Sequence, residues 1–126
     1  MGYFMKQVRH GYRTALISGG GFPDCLLING TDHSFIELKI LPIGPSGDRK
    51  LRSLFKKTQP PWYAEYLAKG GCRLYVLFRL EKGYGILRVT KEFVRDIEVV
   101  RYRGLSERYE YAEYDTLKEL ISDRFS

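Results

Sequence analysis

Two acidic residues and a lysine lie on neighbouring apolar segments. Asp24 immediately precedes one apolar run, and Glu37-Leu38-Lys39 lies within the next. Like charges held opposite each other destabilise a sheet, so a fold that keeps both carboxylates is expected to hold a cation between them. Because Mg²⁺ prefers carboxylate, carbonyl and water oxygens, the predicted ligands are Asp24, Glu37 and the main-chain carbonyl of Leu38.

Lys39 would add a positive charge to the same site. Side chains alternate along a strand, so Lys39 is expected on the same face as Glu37, two residues before it. An ammonium group there could orient or deprotonate a metal-bound water, or stabilise negative charge that develops on a phosphate during the reaction. The pattern therefore predicts metal-assisted chemistry on a phosphate group.

Whether the carboxylates meet depends on the register of the hairpin between the two runs. Asn-Gly between apolar runs is a strong hairpin signal. With residues 29–32 as the loop, paired residue numbers sum to 61 and Asp24 lies opposite Glu37. With Asn29-Gly30 alone as the loop, the sum is 59, Asp24 lies opposite Phe35, and Glu37 is a diagonal neighbour on the same face. A sum of 60 would separate the carboxylates, and the sequence leaves that register open.

The remaining patterns predict an α/β domain whose central mixed sheet of about four strands is flanked by helices. Residues 12–17 are a further strand candidate, and residues 18–21 and 42–48 are predicted loops, the second exposed and mobile. A helix is expected after Thr58, with Pro60 and Pro61 in its first turn and an end at Gly70-Gly71. The later predicted elements are strands at 72–80 and 84–89, an extended segment at 97–103 and a final helix from Asp115. The predicted inner face of that helix consists of Leu117, Leu120, Ile121 and Phe125.

The charge balance favours a polyanionic partner. The chain has 126 residues, a formal net charge of +6 and a pI near 9.4. Neutralising phosphates releases counterions, which contributes affinity for nucleic acid that does not depend on sequence. Five basic residues fall within nine positions: Arg49, Lys50, Arg52, Lys56 and Lys57. They are the predicted phosphate contacts, and a solvated helix face is the ordinary alternative.

Cysteine usage and hydropathy favour a cytoplasmic protein. Cys25 and Cys72 lie in apolar strand-like runs, which predicts buried, reduced thiols rather than disulfides. Together with His10 and His33 they include the residue types of a zinc site, but their spacing does not support one. No apolar run reaches ~18 residues and no signal-peptide pattern is present, so membrane insertion is not expected.

The chain resembles the PD-(D/E)XK nuclease superfamily. Pro23-Asp24, twelve intervening residues and Glu37-Leu38-Lys39 match its signature in order and strand context. A glycine-rich loop precedes the signature, and Gln59, Trp62, a helix end at 67–71 and a strand follow it. This string is similar to the virus-type replication-repair nuclease (VRR-NUC) branch, small enzymes related to Holliday-junction resolvases and common in phages. The resemblance spans residues 19–89.

That resemblance implies a restriction-endonuclease-like core and hydrolysis of phosphodiesters with Mg²⁺ or Mn²⁺. It makes Asp24 and Glu37 metal ligands and Lys39 the catalytic lysine, and it places Gln59 near the phosphate, although Gln59 could instead only cap its helix. Residues 1–126 would form a single nuclease domain, with a core at 12–90 and a C-terminal extension at 91–126. The expected location is the cytoplasm of a bacterial or phage-infected host cell. Family members often carry a further Glu on the first helix, whereas no acidic residue precedes Asp24. Gln7, a partner subunit or a single-ion mechanism could account for this departure.

The leading hypothesis is therefore a metal-dependent endonuclease acting on DNA. The small size of the chain favours selection of DNA by shape, such as branches or junctions. A homodimer would suit a symmetric junction. One alternative is a nucleic-acid-binding module without catalysis, in which the carboxylates are vestigial. Another is a structural subunit of a larger complex, with the tyrosine-rich stretch 109–114 as its interface. Trp62, Tyr63, Tyr66 and Leu67 recur at an interval that suits one buried helix stripe. Trp62 and Tyr66 are therefore expected in the core.

Overall fold

One mixed β-sheet organises the chain. The structure, a computed structural model, describes residues 13–16, 21 and 23–125. Six strands form the sheet in the order β1-β2-β3-β4-β5-β6, and all neighbours are antiparallel except β3 and β4, which are parallel. The strands are β1 (Arg13–Leu16), β2 (Cys25–Asn29), β3 (Asp32–Ile40), β4 (Leu74–Arg79), β5 (Tyr84–Arg88) and β6 (Tyr111–Tyr114).

The helices are short, and local signals in the sequence determine where the longest one begins and ends. Helix α1 (Gln59–Ala68) has prolines in its first turn. Proline is tolerated there because the backbone N–H groups of the first turn make no intrahelical hydrogen bond. The chain then turns at Gly70, whose φ of 93° suits glycine. Thr58 occupies the predicted N-cap position, but its side chain makes no capping hydrogen bond. The other helices are α2 (Lys91–Arg95), α3 (Leu105–Arg108) and α4 (Leu117–Phe125), with one 3₁₀ turn at Arg52–Leu54.

Helix α1 lies in the connection between β3 and β4. Parallel neighbours cannot be joined by a tight turn, so the chain must cross over one face of the sheet before β4 begins. That crossover places α1 over the face to which Phe35 and Phe78 belong. Helices α2 and α3 pack on the same side through Phe93 and Leu105.

Helix α4 covers the opposite face of the sheet. Its side chains Leu117, Leu120, Ile121 and Phe125 are all buried, which confirms the predicted inner face. They pack on a second apolar cluster formed by Cys25, Leu27, Ile36, Leu77 and Ile86. Along β3 the two faces alternate, so Phe35 faces α1 whereas Ile36 and Leu38 face α4.

The predicted α/β class is confirmed, with differences in detail. The sheet has six strands because β1 and β6 flank the four central strands. The predicted extended segment at 97–103 is wrong, since residues 96–99 form a turn and only an isolated bridge between Lys50 and Arg101 follows. The thiol of Cys72 was expected to be buried, but it is exposed because its residue precedes β4, whereas Cys25 is buried.

The loop at 42–48 is tied to the rest of the molecule by Asp48. Its carboxylate accepts hydrogen bonds from the backbone N–H groups of Arg49 and Arg103 and from the Arg101 guanidinium. These contacts, with Arg101 first, lower the pKa of Asp48 to about 2. Arg101 and Arg103 therefore serve as anchors for this loop.

Several expectations concern residues outside the described part of the chain. These are the alternative ligand Gln7, the zinc candidate His10 and the glycine-rich loop at 18–20. Of that loop, only Gly21 is described. In the described ranges, no helix is long and apolar enough to cross a membrane.

Candidate active site

The hairpin between β2 and β3 adopts the register in which paired residue numbers sum to 61. Cys25 pairs with Ile36 and Ile28 with His33, which confirms the first of the alternative registers. The loop is shorter than predicted, because Asn29 and Asp32 pair as well and only residues 30–31 remain between the strands. One further step along this register places Asp24 opposite Glu37.

Asp24 is held against β3 by a main-chain hydrogen bond. The N–H of Leu38 donates to its Oδ2 atom at 2.8 Å. The N–H groups of Phe35 and Leu41 donate toward β4, so the alternating residue Leu38 directs its N–H and C=O away from β4 and toward Asp24. The carbonyl of Leu38 thus points to the side of β3 on which Asp24 lies.

Glu37 is an almost fully buried carboxyl group, with 2% of the residue exposed. Its Oε2 atom forms an ion pair with Nζ of Lys39 at 3.2 Å, while its Oε1 atom is buried without a hydrogen-bond partner. Burial, followed by the charge of Asp24, raises the pKa of Glu37 to about 7, and Lys39 acts in the opposite direction. The two carboxylates are therefore close enough to repel each other.

Lys39 is connected to helix α1 through Gln59. Its Nζ atom donates to Oε1 of Gln59 at 3.0 Å and lies 5.3 Å from the centroid of the Phe55 ring. The same Oε1 atom accepts the backbone N–H of Lys56 at 2.9 Å. Gln59 is buried, and its amide links the end of the basic segment to the ammonium group rather than only capping its helix.

Tyr63 also reaches this site, although the sequence assigned it only to the buried stripe of α1. The residue is 1% exposed, and its hydroxyl is buried without a hydrogen-bond partner. Burial and the charges of Glu37 and Asp24 raise the pKa of Tyr63. Tyr63 lies one helical turn after Gln59, and this four-residue spacing was the available signal that both face the same site.

The donor groups present fit a hard divalent cation. They comprise two carboxylates and a main-chain carbonyl, and one carboxylate oxygen, Oε1 of Glu37, has no other partner. Within the described residues no group of three or more His, Cys, Asp or Glu side chains could hold a metal ion, so the carbonyl of Leu38 and solvent would have to complete this set.

Burial, then the charges of Asp24 and Glu37, raises the pKa of Cys25 to about 12, so this thiol stays protonated.

The predicted phosphate-binding residues do not form one uniform patch. Arg52 is engaged within the chain, because its Nε atom pairs with Glu98 at 3.1 Å and its NH1 atom donates to the carbonyl of Phe55. Arg49 donates at 3.4 Å to the carbonyl of Pro42. Three lysines of the run are exposed. They are Lys50, Lys56 and Lys57, and only Thr58 separates the last of them from Gln59.

Trp62 and Tyr66 line the outer part of the same helix face. Their rings stack with centroids 5.5 Å apart, and both meet the edge of Phe35 at 5.4 Å. Both pack against the core cluster beneath α1, which confirms their predicted structural place.

Comparisons with known proteins found similarity among solved structures only. No protein-family model and no curated protein sequence matches the chain. Among solved structures, the chain is similar to Hjc, a Holliday junction resolvase from the archaeal hyperthermophile Archaeoglobus fulgidus, with a TM-score of 0.48 and 14% sequence identity. The similarity covers 69% of this chain and 73% of that chain. A similarity at this level does not assign an activity.

Proposed function

We propose that the chain is a metal-dependent endonuclease that hydrolyses phosphodiester bonds in DNA, using Mg²⁺ or Mn²⁺. The observation that carries the proposal is the convergence of four side chains on the sheet face beneath α1. Asp24 and Glu37 face each other across the β2–β3 hairpin, and Lys39 contacts both Glu37 and Gln59. Two opposed carboxylates with an ammonium beside them suit phosphoryl chemistry better than they suit sheet stability.

Each residue has a distinct role in the proposed reaction. Asp24, Glu37 and the carbonyl of Leu38 would hold the divalent ion, which when bound supplies Lewis acidity and lowers the pKa of water. Lys39 would stabilise negative charge on the phosphate oxygens in the transition state. Gln59 would keep the ammonium of Lys39 in place, since its amide oxygen is held by a second donor, the N–H of Lys56.

Binding of DNA would rely on positive charge around this site. Lys56 and Lys57 are exposed and lie within three residues of Gln59, and the net charge of +6 favours a phosphate backbone over uncharged partners. We further propose membership of the PD-(D/E)XK superfamily, in the VRR-NUC branch of phage type, with residues 1–126 as a single nuclease domain. Selection of branched DNA by a homodimer belongs to the same proposal.

The test is cleavage of plasmid and of four-way-junction DNA with Mg²⁺ or Mn²⁺. Glu37→Gln and Lys39→Met should each reduce cleavage by at least about a hundredfold, because each removes a group that acts in the transition state. Glu65→Gln and Lys69→Met are matched controls, since these two residues form an exposed ion pair at 2.7 Å on α1. The controls should retain wild-type rates.

Other outcomes would reassign the protein. A wild-type chain that binds junctions but never cuts them would support a binding module with vestigial carboxylates. Cleavage that survives both Glu37→Gln and Lys39→Met would place the activity elsewhere. Equal cleavage of linear and branched DNA would contradict selection by shape, and a monomer by sedimentation in the presence of junction DNA would contradict the homodimer.

A further inference from the structure

Two buried polar atoms without partners face the same site. Among the described residues, only three buried side-chain nitrogen or oxygen atoms lack a hydrogen-bond partner: Glu37 Oε1, Arg49 Nε and Tyr63 OH. Two of the three belong to the candidate active site. Because an unpaired buried polar group is unfavourable, the fold retains these two atoms against a cost in stability.

The ring of Tyr63 is fixed by its neighbours. It meets Phe55 edge-on with centroids 6.1 Å apart and Trp62 in the same way at 6.2 Å. Its position one turn after Gln59 places it on the helix face that contacts Lys39. The Phe55 ring that Tyr63 meets also lies 5.3 Å from Nζ of Lys39, which pairs with Glu37, so Tyr63 and Glu37 belong to the same site. The charges of Glu37 and Asp24 both raise the pKa of the Tyr63 hydroxyl.

The neighbouring polar atoms already have partners. Oε2 of Glu37 is paired with Lys39, Oδ2 of Asp24 accepts from Leu38, and Oε1 of Gln59 accepts from two donors. Among the fully buried side-chain atoms of the site, those without a partner are one donor, the hydroxyl of Tyr63, and one acceptor, Oε1 of Glu37. Neither has a direct hydrogen bond to another protein group, and one water molecule between them would satisfy both.

We propose that Tyr63 is a positioning residue of the ion site: its hydroxyl donates to a water molecule that also contacts Glu37, and this bridge orients Glu37 toward the divalent cation. The inference rests on the proposed function, because it assumes that Asp24 and Glu37 bind such an ion. Hydrogen bonds to metal ligands from the surrounding shell typically set ligand orientation and metal affinity.

The test compares Tyr63→Phe with Tyr66→Phe in the full chain. Calorimetric titration with MnCl₂ alone should give a dissociation constant about tenfold higher for Tyr63→Phe than for the wild type. Tyr66→Phe is the matched control, because the hydroxyl of Tyr66 has a different partner and accepts from the N–H of Arg73 at 3.2 Å. It should bind Mn²⁺ with wild-type affinity.

Thermal unfolding provides a second readout that does not need activity. Without metal, Tyr63→Phe should unfold at the same temperature as the wild type or higher, since it removes an unpaired buried hydroxyl. The increase in Tm on adding Mn²⁺ should be smaller for Tyr63→Phe than for the wild type. Cleavage by Tyr63→Phe should recover at high Mn²⁺, because the variant loses ion affinity and keeps Lys39.

Failure of this inference differs from failure of the proposed function. Equal Mn²⁺ affinity in the wild type and Tyr63→Phe would overturn the role of Tyr63 and leave the nuclease proposal standing. A wild-type chain that binds no Mn²⁺ would overturn both. A cleavage defect in Tyr63→Phe that persists at saturating Mn²⁺ would also contradict a role through ion affinity.

Discussion

Glu37 is a carboxyl group whose ionisation the fold opposes. It is buried beside Asp24, and both effects raise its pKa to about 7. Lys39, which pairs with Glu37 at 3.2 Å, compensates only part of this cost. In the metal-free protein the site is therefore strained electrostatically, and a divalent cation would relieve the strain.

The first prediction concerns stability and pH in metal-free protein. The folded-state pKa of Glu37 lies above its unfolded value near 4.5, so the folded chain binds more protons between about pH 4.5 and 7. The free energy of unfolding should fall by roughly 3 kcal/mol as pH rises through that window. Urea unfolding in EDTA at several pH values measures this change.

Glu37→Gln is the matched variant for that experiment, because glutamine has nearly the same shape and does not ionise. Its stability should vary less with pH across the same window, and at pH 8 it should exceed that of the wild type. Identical pH profiles for the two proteins would contradict the repulsion between the carboxylates.

At the scale of single residues, the sequence predicted part of the candidate active site. The spacing of Asp24, Glu37 and Lys39, with a hairpin signal between them, was enough to place them on one face. The contact between Lys39 and Gln59 and the approach of Tyr63 depend on how α1 crosses the sheet. Short-range periodicity does not contain that information, so Tyr63 was assigned only to the core.

At the scale of elements, the segment before β2 is locked to the start of α1. Gly21 has a φ of 85°, and a Cβ atom there would lie 2.4 Å from the carbonyl oxygen of Thr58. Only glycine permits both the backbone conformation and this close approach. The contact fixes the path of the chain into Pro23 and Asp24, and thereby the position of one predicted metal ligand.

The second prediction compares Gly21→Ala with Gly30→Ala. Gly30, in the hairpin loop, has a φ of 64° and no atom within 4 Å of its added Cβ, so its cost should be the conformational penalty alone, about 1–2 kcal/mol. Gly21→Ala should cost more, since it adds a backbone clash, and it should also weaken Mn²⁺ binding by displacing Asp24. Denaturant unfolding and calorimetry measure the two effects.

Equal destabilisation by the two alanines, with unchanged Mn²⁺ affinity, would contradict the coupling between this loop and α1.

The elements themselves were predicted best where proline and glycine mark their limits, as at Pro60 and Gly70. The extended prediction at 97–103 failed because its β-branched and aromatic residues occupy a turn that packs on the core. There tertiary contacts through Ile97 and Val100 outweigh local strand preference.

At the scale of the whole molecule, the sheet separates two apolar clusters. The candidate site shares a face with α1, whereas α4 covers the other face with four buried side chains. Residues 111–125 thus complete the sheet and its second layer. The sequence predicted the inner face of α4 from its periodicity, but no local signal indicated the edge pairing of β6.

The third prediction uses this separation. Leu120 is fully buried on the inner face of α4, so Leu120→Ala should reduce the free energy of unfolding by about 2–5 kcal/mol. At a temperature where the variant stays folded, its Mn²⁺ affinity and cleavage rate should equal those of the wild type. The exposed neighbour Lys118→Ala is the control and should change stability by less than about 0.5 kcal/mol.

A loss of ion affinity in folded Leu120→Ala would show that the two faces are coupled through the sheet. Unfolding by urea, followed by calorimetry at the permissive temperature, distinguishes these outcomes.

The parallel pairing of β3 with β4 has a consequence for folding order. The hairpin that carries Asp24 and Glu37 closes over a two-residue loop, a local event. Gln59 and Tyr63 belong to the crossover helix between β3 and β4, and packing of that helix on the hairpin is a slower, less local event. An incompletely folded chain therefore presents the acidic pair without its partners from α1, and the proposed catalytic competence would be acquired only in the last stage of assembly.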